Sequence, residues 1–162
     1  MRQRKKQESN NLKKGILLVE DDEVIRELLK SFLDDDNQVV TVASSGEEAL
    51  ALFKDQLFRL VISDVRMPGM GGIQLLIQIK KIDATIDVIM LTAFDDIETY
   101  HEAMSCGAAE YIYKPASLNE IKQVVQNYLS QSKRSYLIRI KSKLRGLRYA
   151  CQRKIKKIYS TS

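Results

Sequence analysis

The chain has 162 residues, 44% hydrophobic and 29% charged, the balance of one ordinary globular domain and not of a fibre or a disordered polar chain. Its longest stretch without Asp, Glu, Lys or Arg, Met67–Ile79, is too short to cross a bilayer and is broken by Pro68, Gly69, Gly71 and Gly72. A formal net charge of +5 hides a segregation: residues 1–14 carry six Lys/Arg and one acid, residues 15–129 carry nine and twenty, and residues 130–162 carry eleven and none.

An acidic body therefore lies between a basic N-terminal arm and a basic C-terminal tail. No apolar core follows the first fourteen residues, so no secretory signal is visible. Cys106 and Cys151 lie far apart with no Cys-x-x-Cys spacing, and His101 stands alone, a set that cannot build a zinc site. A reduced, cytoplasmic compartment is the expectation.

In chain order, Ile16–Val19 is a short apolar run ending in acids, followed by Val24, Ile25, Leu28, Leu29 and Phe32 at helical spacing. Asp34–Asn37 reads as a solvated loop before a second strand, Val39–Val42. Ser45 and Glu48 form a capping box ahead of a helix carrying Ala49, Leu50, Leu52 and Phe53. Leu60–Ser63 is the third strand, leading through the turn-rich Met67–Gly72 into a helix with Ile73, Leu76, Ile77 and Lys80. Val88–Leu91 is the fourth strand. Asp95–Cys106 reads as helix stopped by Gly107, and Glu110–Tyr113 as a strand stopped by Pro115. Ser117 and Glu120 form a second capping box before Ile121, Val124, Val125 and Tyr128. Short apolar strands separated by helices predict an α/β fold, with a doubly wound parallel sheet covered on both faces.

Ligands in such sheets bind beyond the carboxyl ends of the strands. Those ends carry Glu20-Asp21-Asp22, Asp64, Thr92 and Lys114-Pro115. Taken singly, each has a local explanation, such as acids at a helix N-terminus or a hydroxyl bonding its own backbone. Together they predict several carboxylates, a hydroxyl and an ammonium in one crevice. Clustered carboxylates need a cation or raised pKa values, and hard oxygens with room for water suit Mg2+ shared with a phosphate. One carboxylate can then act as nucleophile toward a phosphoryl group. No Gly-rich nucleotide loop is present, so a nucleotide is not the expected donor.

The strings ILLVEDDEVIRELL from Ile16, VISDVRMPGMGG from Val61, VIMLTAF from Val88 and EYIYKPASLNEI from Glu110 resemble the response-regulator receiver domain. The resemblance covers about residues 14–129, leaving 1–13 as the basic arm and 130–162 as linker and tail. It is nearest to stand-alone receivers that pass phosphoryl groups along relays. It implies a flavodoxin-like five-stranded sheet in the order 2-1-3-4-5 with helices on both faces. Asp64 would be the phosphoacceptor, taking its phosphoryl group from a sensor histidine kinase or a histidine phosphotransfer protein. Asp21 and Asp64 would bind Mg2+, with Glu20 acting through water and the Arg66 backbone carbonyl completing the site. Lys114, the Thr92 hydroxyl and the Ala93 N–H would bind the phosphoryl oxygens, with Lys114–Pro115 cis. Tyr111 takes the place of the switch aromatic, turning inward as Thr92 moves and reshaping the helix-four, strand-five, helix-five face. Such a protein is a signalling phosphoacceptor that catalyses only its own phosphorylation and hydrolysis. Glu20 stands where Asp is more frequent. Arg66 and Phe94 resemble positions that tune phosphoryl lifetime, and their bulk predicts slow hydrolysis. His101 and Cys106 are expected to carry no chemistry, Cys106 being an apolar filler.

Beyond the receiver, Ser130–Ser135 reads as a linker. Leu137, Ile140, Leu144, Leu147, Cys151, Ile155 and Ile158 then recur on one face of a basic amphipathic helix about 33 Å long. Gly146 weakens that helix by roughly 1 kcal/mol. About thirty residues do not make a specific DNA-binding domain. The segment 133–158 suits an anionic membrane, nucleic acid, a partner protein or the acidic body itself. Two rivals to the receiver remain. One is a scaffold whose tail binds membrane or nucleic acid independently of phosphorylation. The other is a haloacid-dehalogenase-like phosphohydrolase, whose Asp-x-Asp motif Val19-Glu20-Asp21-Asp22 does not supply.

Overall fold

Short strands that are apolar on both faces must be covered by helices on both sides, and the connections between parallel strands supply those helices. In the computed structural model, which describes residues 14–35, 38–93 and 97–131, strands and helices alternate strictly. They are β1 (Lys14–Val19), α1 (Glu23–Leu33), β2 (Val39–Ala43), α2 (Gly46–Asp55), β3 (Leu60–Asp64), α3 (Gly72–Ile82), β4 (Asp87–Thr92), α4 (Ile97–Ser105) and β5 (Glu110–Tyr113). A fifth helix, α5, covers 118–131. The sheet is parallel throughout in the order β2-β1-β3-β4-β5. It is the expected doubly wound, flavodoxin-like architecture, and its order switches beside β1.

Alternate side chains along each strand build two cores. Leu17, Val19, Val61, Val88, Met90 and Tyr111 pack against α2, α3 and α4 through residues such as Phe53, Leu75, Ile79 and Ala103. Ile16, Leu18, Leu60, Ile62, Ile89 and Leu91 pack against α1 and α5 through Leu29, Leu33, Ile121, Val125 and Leu129. Each fully buried Leu or Ile contributes roughly 1.5–3 kcal/mol.

Two helices are rotated relative to their apolar spacing. In α1 the core takes Leu29 and Leu33, while Val24 and Leu28 are 77% and 50% exposed. In α3 the buried residues are Leu75, Leu76 and Ile79, with Ile73, Ile77 and Lys80 only half-buried. Both segments hold more apolar residues than one face accommodates, so spacing alone admits two rotations and contact with the sheet selects one.

The Asp34-Asp35 pair is more than a solvated loop. Asp34 Oδ1 accepts from Val40 N–H at 3.2 Å and Asp35 Oδ1 from Gln38 N–H at 3.1 Å, which ties the turn into β2. Asp36 lies outside the described residues. Helix α4 stops at Ser105, short of Cys106. Gly107 adopts φ +92, its N–H donates to Met104 O, and Ala108 N–H donates back to Ala103 O. Cys106 is half-buried and packs against the core of that face.

Both capping boxes form. Ser117 Oγ accepts from Glu120 N–H while the Glu120 carboxylate accepts from Ser117 N–H. At α2, Ser45 Oγ accepts from Glu48 N–H, but the Glu48 carboxylate reaches back one residue further, to the N–H and hydroxyl of Ser44. Lys114–Pro115 is cis, as expected. The basic arm 1–13 and the tail segment 133–158 lie outside the described residues.

Candidate functional site

The pairing register sets which residues meet at the carboxyl edge of the sheet. Val19 lies opposite Ser63, Asp64 opposite Leu91, and Thr92 opposite Tyr113. Glu20, which follows β1, Asp64 and Thr92, which end β3 and β4, and Lys114, which follows β5, therefore rim one crevice at the switch in strand order.

Lys114 draws three strand ends together. Its Nζ donates to Glu20 Oε2 at 2.7 Å and to Asp64 Oδ2 at 3.0 Å. Glu20 is almost fully buried, whereas the Asp64 and Lys114 side chains retain 12% and 18% exposure, so Asp64 remains reachable from solvent. Burial raises the Glu20 carboxyl above its ordinary value; the Lys114 bond and charge oppose the rise, and the Asp64 charge adds to it. Burial alone would lower Lys114. The hydrogen bonds and charges of Glu20 and Asp64 outweigh it, and the ammonium is held above its ordinary value.

Carboxylate oxygens of Glu20, Asp21 and Asp64 lie within 4.8 Å of one another. This all-oxygen set, with exposed Asp21 open to water, matches what a small hard divalent cation takes: a few carboxylates and several retained waters. The residues thus fit Mg2+, the ion bound by receiver domains at their acidic pocket. Asp22 takes no part in the cluster; its carboxylate caps α1 by accepting from Ile25 N–H at 2.9 Å.

The loops behind these groups are built closely. Arg66 N–H donates to Asp64 Oδ1 at 3.1 Å, leaving the Arg66 side chain exposed. Gly72 N–H closes on Val65 O at 2.9 Å, and a Cβ on Gly72 would collide with the Asp64 carbonyl oxygen. Glu47, in the first turn of α2, accepts from Met70 N–H at 2.8 Å and pins the same loop from the other side. Arg26 Nη1 donates to the backbone carbonyls of Glu20 and Asp21 at 2.8 and 3.1 Å and fixes the β1–α1 turn. Sequence reasoning missed Arg26, Glu47 and Gly72. Arg26 had a visible signal, a cation near the N-terminus of its helix, where the helix dipole disfavours it. Glu47 and Gly72 act through chain neighbours more than five residues away, which no local pattern shows.

Thr92 is fully buried, and Ala93 follows it at the crevice rim. Lys114 N–H donates to Thr92 O at 2.6 Å, which couples the two strand ends. Tyr111 is already buried, in the core that packs against α2, α3 and α4. Its ring sits edge-on to Tyr100 at 5.5 Å and to Tyr113 at 5.0 Å. Exposed His101 contacts only the Tyr100 ring among the described aromatic rings. Phe94 lies outside the described residues.

Residues 16–126 match the response regulator receiver domain. The chain is 36% identical over 94 residues to the transcriptional regulatory protein ZraR of Salmonella typhimurium, which covers 58% of this chain and 21% of that protein. It thus spans about a fifth of that relative's length. It is also 36% identical over 87 residues to the sporulation initiation phosphotransferase F of Bacillus subtilis, covering 54% of this chain and 70% of the relative. A CheY-like receiver domain protein from Methanospirillum hungatei superposes with a TM-score of 0.71 at 28% identity, covering 75% of this chain and 98% of that one. A receiver domain protein from Clostridium thermocellum does so at 0.69 and 33%, covering 74% and 97%. With the fold, the acidic crevice and the matched span in agreement, the chain belongs to the response regulator receiver family of two-component signalling.

Proposed function

We propose that the protein is a phosphorelay receiver that takes a phosphoryl group onto Asp64 from the phosphohistidine of a sensor kinase or phosphotransfer protein. The observation that carries this reading is the Lys114 ammonium held between Glu20 and Asp64, with a solvent-reachable Asp64 oxygen beside it. The likeness to a sporulation phosphotransferase supports the relay role.

In the transfer, an Asp64 carboxylate oxygen forms the new P–O bond as the P–N bond of the donor breaks, and the leaving imidazole keeps the electron pair and takes a proton from water. Mg2+ held by Asp21, Asp64, the Arg66 carbonyl and, through water, Glu20 would neutralise charge on the carboxylates and the incoming phosphoryl oxygens. Lys114 exchanges one carboxylate partner for a phosphoryl oxygen. The Thr92 hydroxyl and the Ala93 N–H donate to the others. Burial raises the Glu20 carboxyl, and the Lys114 ammonium facing it opposes the rise. Movement of Thr92 toward the phosphoryl group then alters the Tyr100–Tyr111–Tyr113 aromatic row and the α4–β5–α5 face. The size of the side chains at Arg66 and Phe94 would hinder the hydrolytic water, giving a long-lived phosphoryl group. A half-life of seconds unchanged in Arg66→Ala contradicts that last point.

The test is intact-protein mass after incubation with Mg2+ and acetyl phosphate. Wild type gains one phosphoryl group and Asp64→Ala gains none. No gain from acetyl phosphate or from a phosphorylated histidine kinase rejects the phosphoacceptor reading and leaves a cytoplasmic scaffold acting through its tail.

A further inference from the structure

We propose that the basic tail of this chain docks on its own α4–β5 face, residues 137–147 laying their apolar stripe over Ile97, Met104 and Tyr113. Those three are 69%, 37% and 38% exposed and lie on adjoining elements. Ile97, His101 and Met104 recur at i, i+4 and i+7 and form one stripe of α4. Tyr100 beside them abuts Tyr111, which abuts Tyr113, so apolar surface continues from the helix onto the edge strand.

Charge selects the occupant. Helix α4 carries Glu98 and Glu102 and no Lys or Arg. Residues 137–147 carry Arg139, Lys141, Lys143 and Arg145 and no acid, interleaved with Leu137, Ile140, Leu144 and Leu147. Of the other exposed apolar residues among those described, Val24 and Leu28 on α1 have Arg26 and Lys30 alongside Glu23 and Glu27, Ile82 follows Lys80 and Lys81, and Val39 stands alone on β2, so none offers a cationic segment the same attraction.

Chain geometry points the same way. Tyr128, in the last turns of α5, donates its hydroxyl to Ala109 O at 2.7 Å. The described chain thus leaves α5 beside the start of β5 and the foot of α4. Six residues separate 131 from Leu137, a length of chain with a reach of roughly 15 Å, comparable to the length of α4, about 13 Å at 1.5 Å per residue. Such a tether holds the stripe at an effective concentration on the order of millimolar, so a weak amphipathic contact suffices.

The contact covers the face that the Asp64 reading expects to change on phosphorylation. Only the release step rests on that reading; docking itself does not. Hydrogen exchange on the full chain separates them. In the unphosphorylated protein, amides of 137–147 exchange at least about tenfold more slowly than an unstructured segment. Ile97→Asp/Met104→Asp removes that protection, as does Ile140→Asp/Leu144→Asp; the first pair is solvent-exposed, so the receiver still folds. Val24→Asp/Leu28→Asp leaves the protection intact. Docking is overturned by unprotected 137–147 in wild type. It is equally overturned by protection that survives Ile97→Asp/Met104→Asp, that grows with protein concentration, or that appears only with phosphatidylglycerol vesicles or duplex DNA. With acetyl phosphate and Mg2+, phosphorylated protein loses the protection at least about threefold. A mass gain on Asp64 with exchange unchanged overturns the release step. Failure to gain mass counts against the phosphoacceptor reading while the docking result stands.

Discussion

Carboxylates crowd both ends of this sheet, yet they do different things there. At the amino end, Asp83 accepts from Thr85 N–H and hydroxyl, Asp35 from Gln38 N–H and Asp34 from Val40 N–H, all within six residues of themselves. At the carboxyl end, Glu20 and Asp64 meet a lysine 94 and 50 residues away. The first kind of acid completes a turn that the local chain left unsatisfied. The second kind is assembled by topology and costs desolvation energy that no turn requires, which is why Glu20 is raised by burial. Glu20 and Asp64 share a distant cation, the arrangement on which the proposed phosphoacceptor role rests, whereas Asp34, Asp35 and Asp83 serve nearby N–H groups and complete turns.

The sharpest way to break this distinction is through the backbone under Asp64. Gly72→Ala drives a methyl into the Asp64 carbonyl and the Val65 backbone, where neither can yield. A loss of about 3 kcal/mol or more in urea unfolding is expected. Gly71→Ala, whose nearest neighbour would be the Val65 carbonyl at 3.3 Å, costs less than about 1 kcal/mol. Equal losses at both positions show that the loop, not the approach to Asp64, is what glycine serves.

Next in size is Lys114→Met. Removing the ammonium leaves Glu20 and Asp64 facing each other and takes one donor from the phosphoryl oxygens. Acetyl phosphate labelling is expected to slow about a hundredfold or more. Asp83→Ala, at the other end, leaves labelling unchanged and lowers stability by about 1 kcal/mol through its lost turn bonds. Asp34→Ala is expected to behave alike, at about 1 kcal/mol, because Val40 N–H loses its carboxylate acceptor.

The same contrast decides what could be read from the sequence. The five strands, the sheet and the crevice residues were legible because each strand is a short apolar run and each crevice residue stands at or just after the end of one. The receiver motifs added the strand order, which periodicity does not contain. Helix rotation was not legible: α1 shows Val24, Ile25, Leu28, Leu29 and Phe32 as equals, and only the sheet beneath separates Leu29 from Leu28. Nor were the supports of the site. Glu47 reaches Met70 across 23 residues, and nothing near either position announces it. The Asp34 and Asp35 bonds were within reach, since Asx turns are a local signal, but a run of three acids reads first as solvated charge.

The smallest expected effects are in the pH dependence of stability, and they divide the two ends once more. At the carboxyl end the Glu48 carboxylate is held below its ordinary value by the Ser44 N–H and then by the Ser44 hydroxyl. A depressed carboxylate stabilises the fold above its unfolded value of 4.5 and loses that contribution as pH falls through the folded value. At the amino end Tyr128 is held above its ordinary value, first by burial and then by the charges of Glu110 and Asp87. Its contribution is complete below pH 10.0, where both states keep the proton, and is lost as pH rises toward the folded value. Ionisation there also removes the hydroxyl that donates to Ala109 O, at the point where the chain leaves α5. Urea midpoints followed by circular dichroism across pH 3–11 are therefore expected to show a shallower acid limb in Glu48→Gln and a shallower alkaline limb in Tyr128→Phe. Each variant should leave the other limb untouched, because the two groups share no partner. An alkaline limb unchanged in Tyr128→Phe shows that the foot of α5 is held by the Arg59 guanidinium on the Leu129 carbonyl instead. The tyrosine then drops out as the anchor that sets where the tail begins.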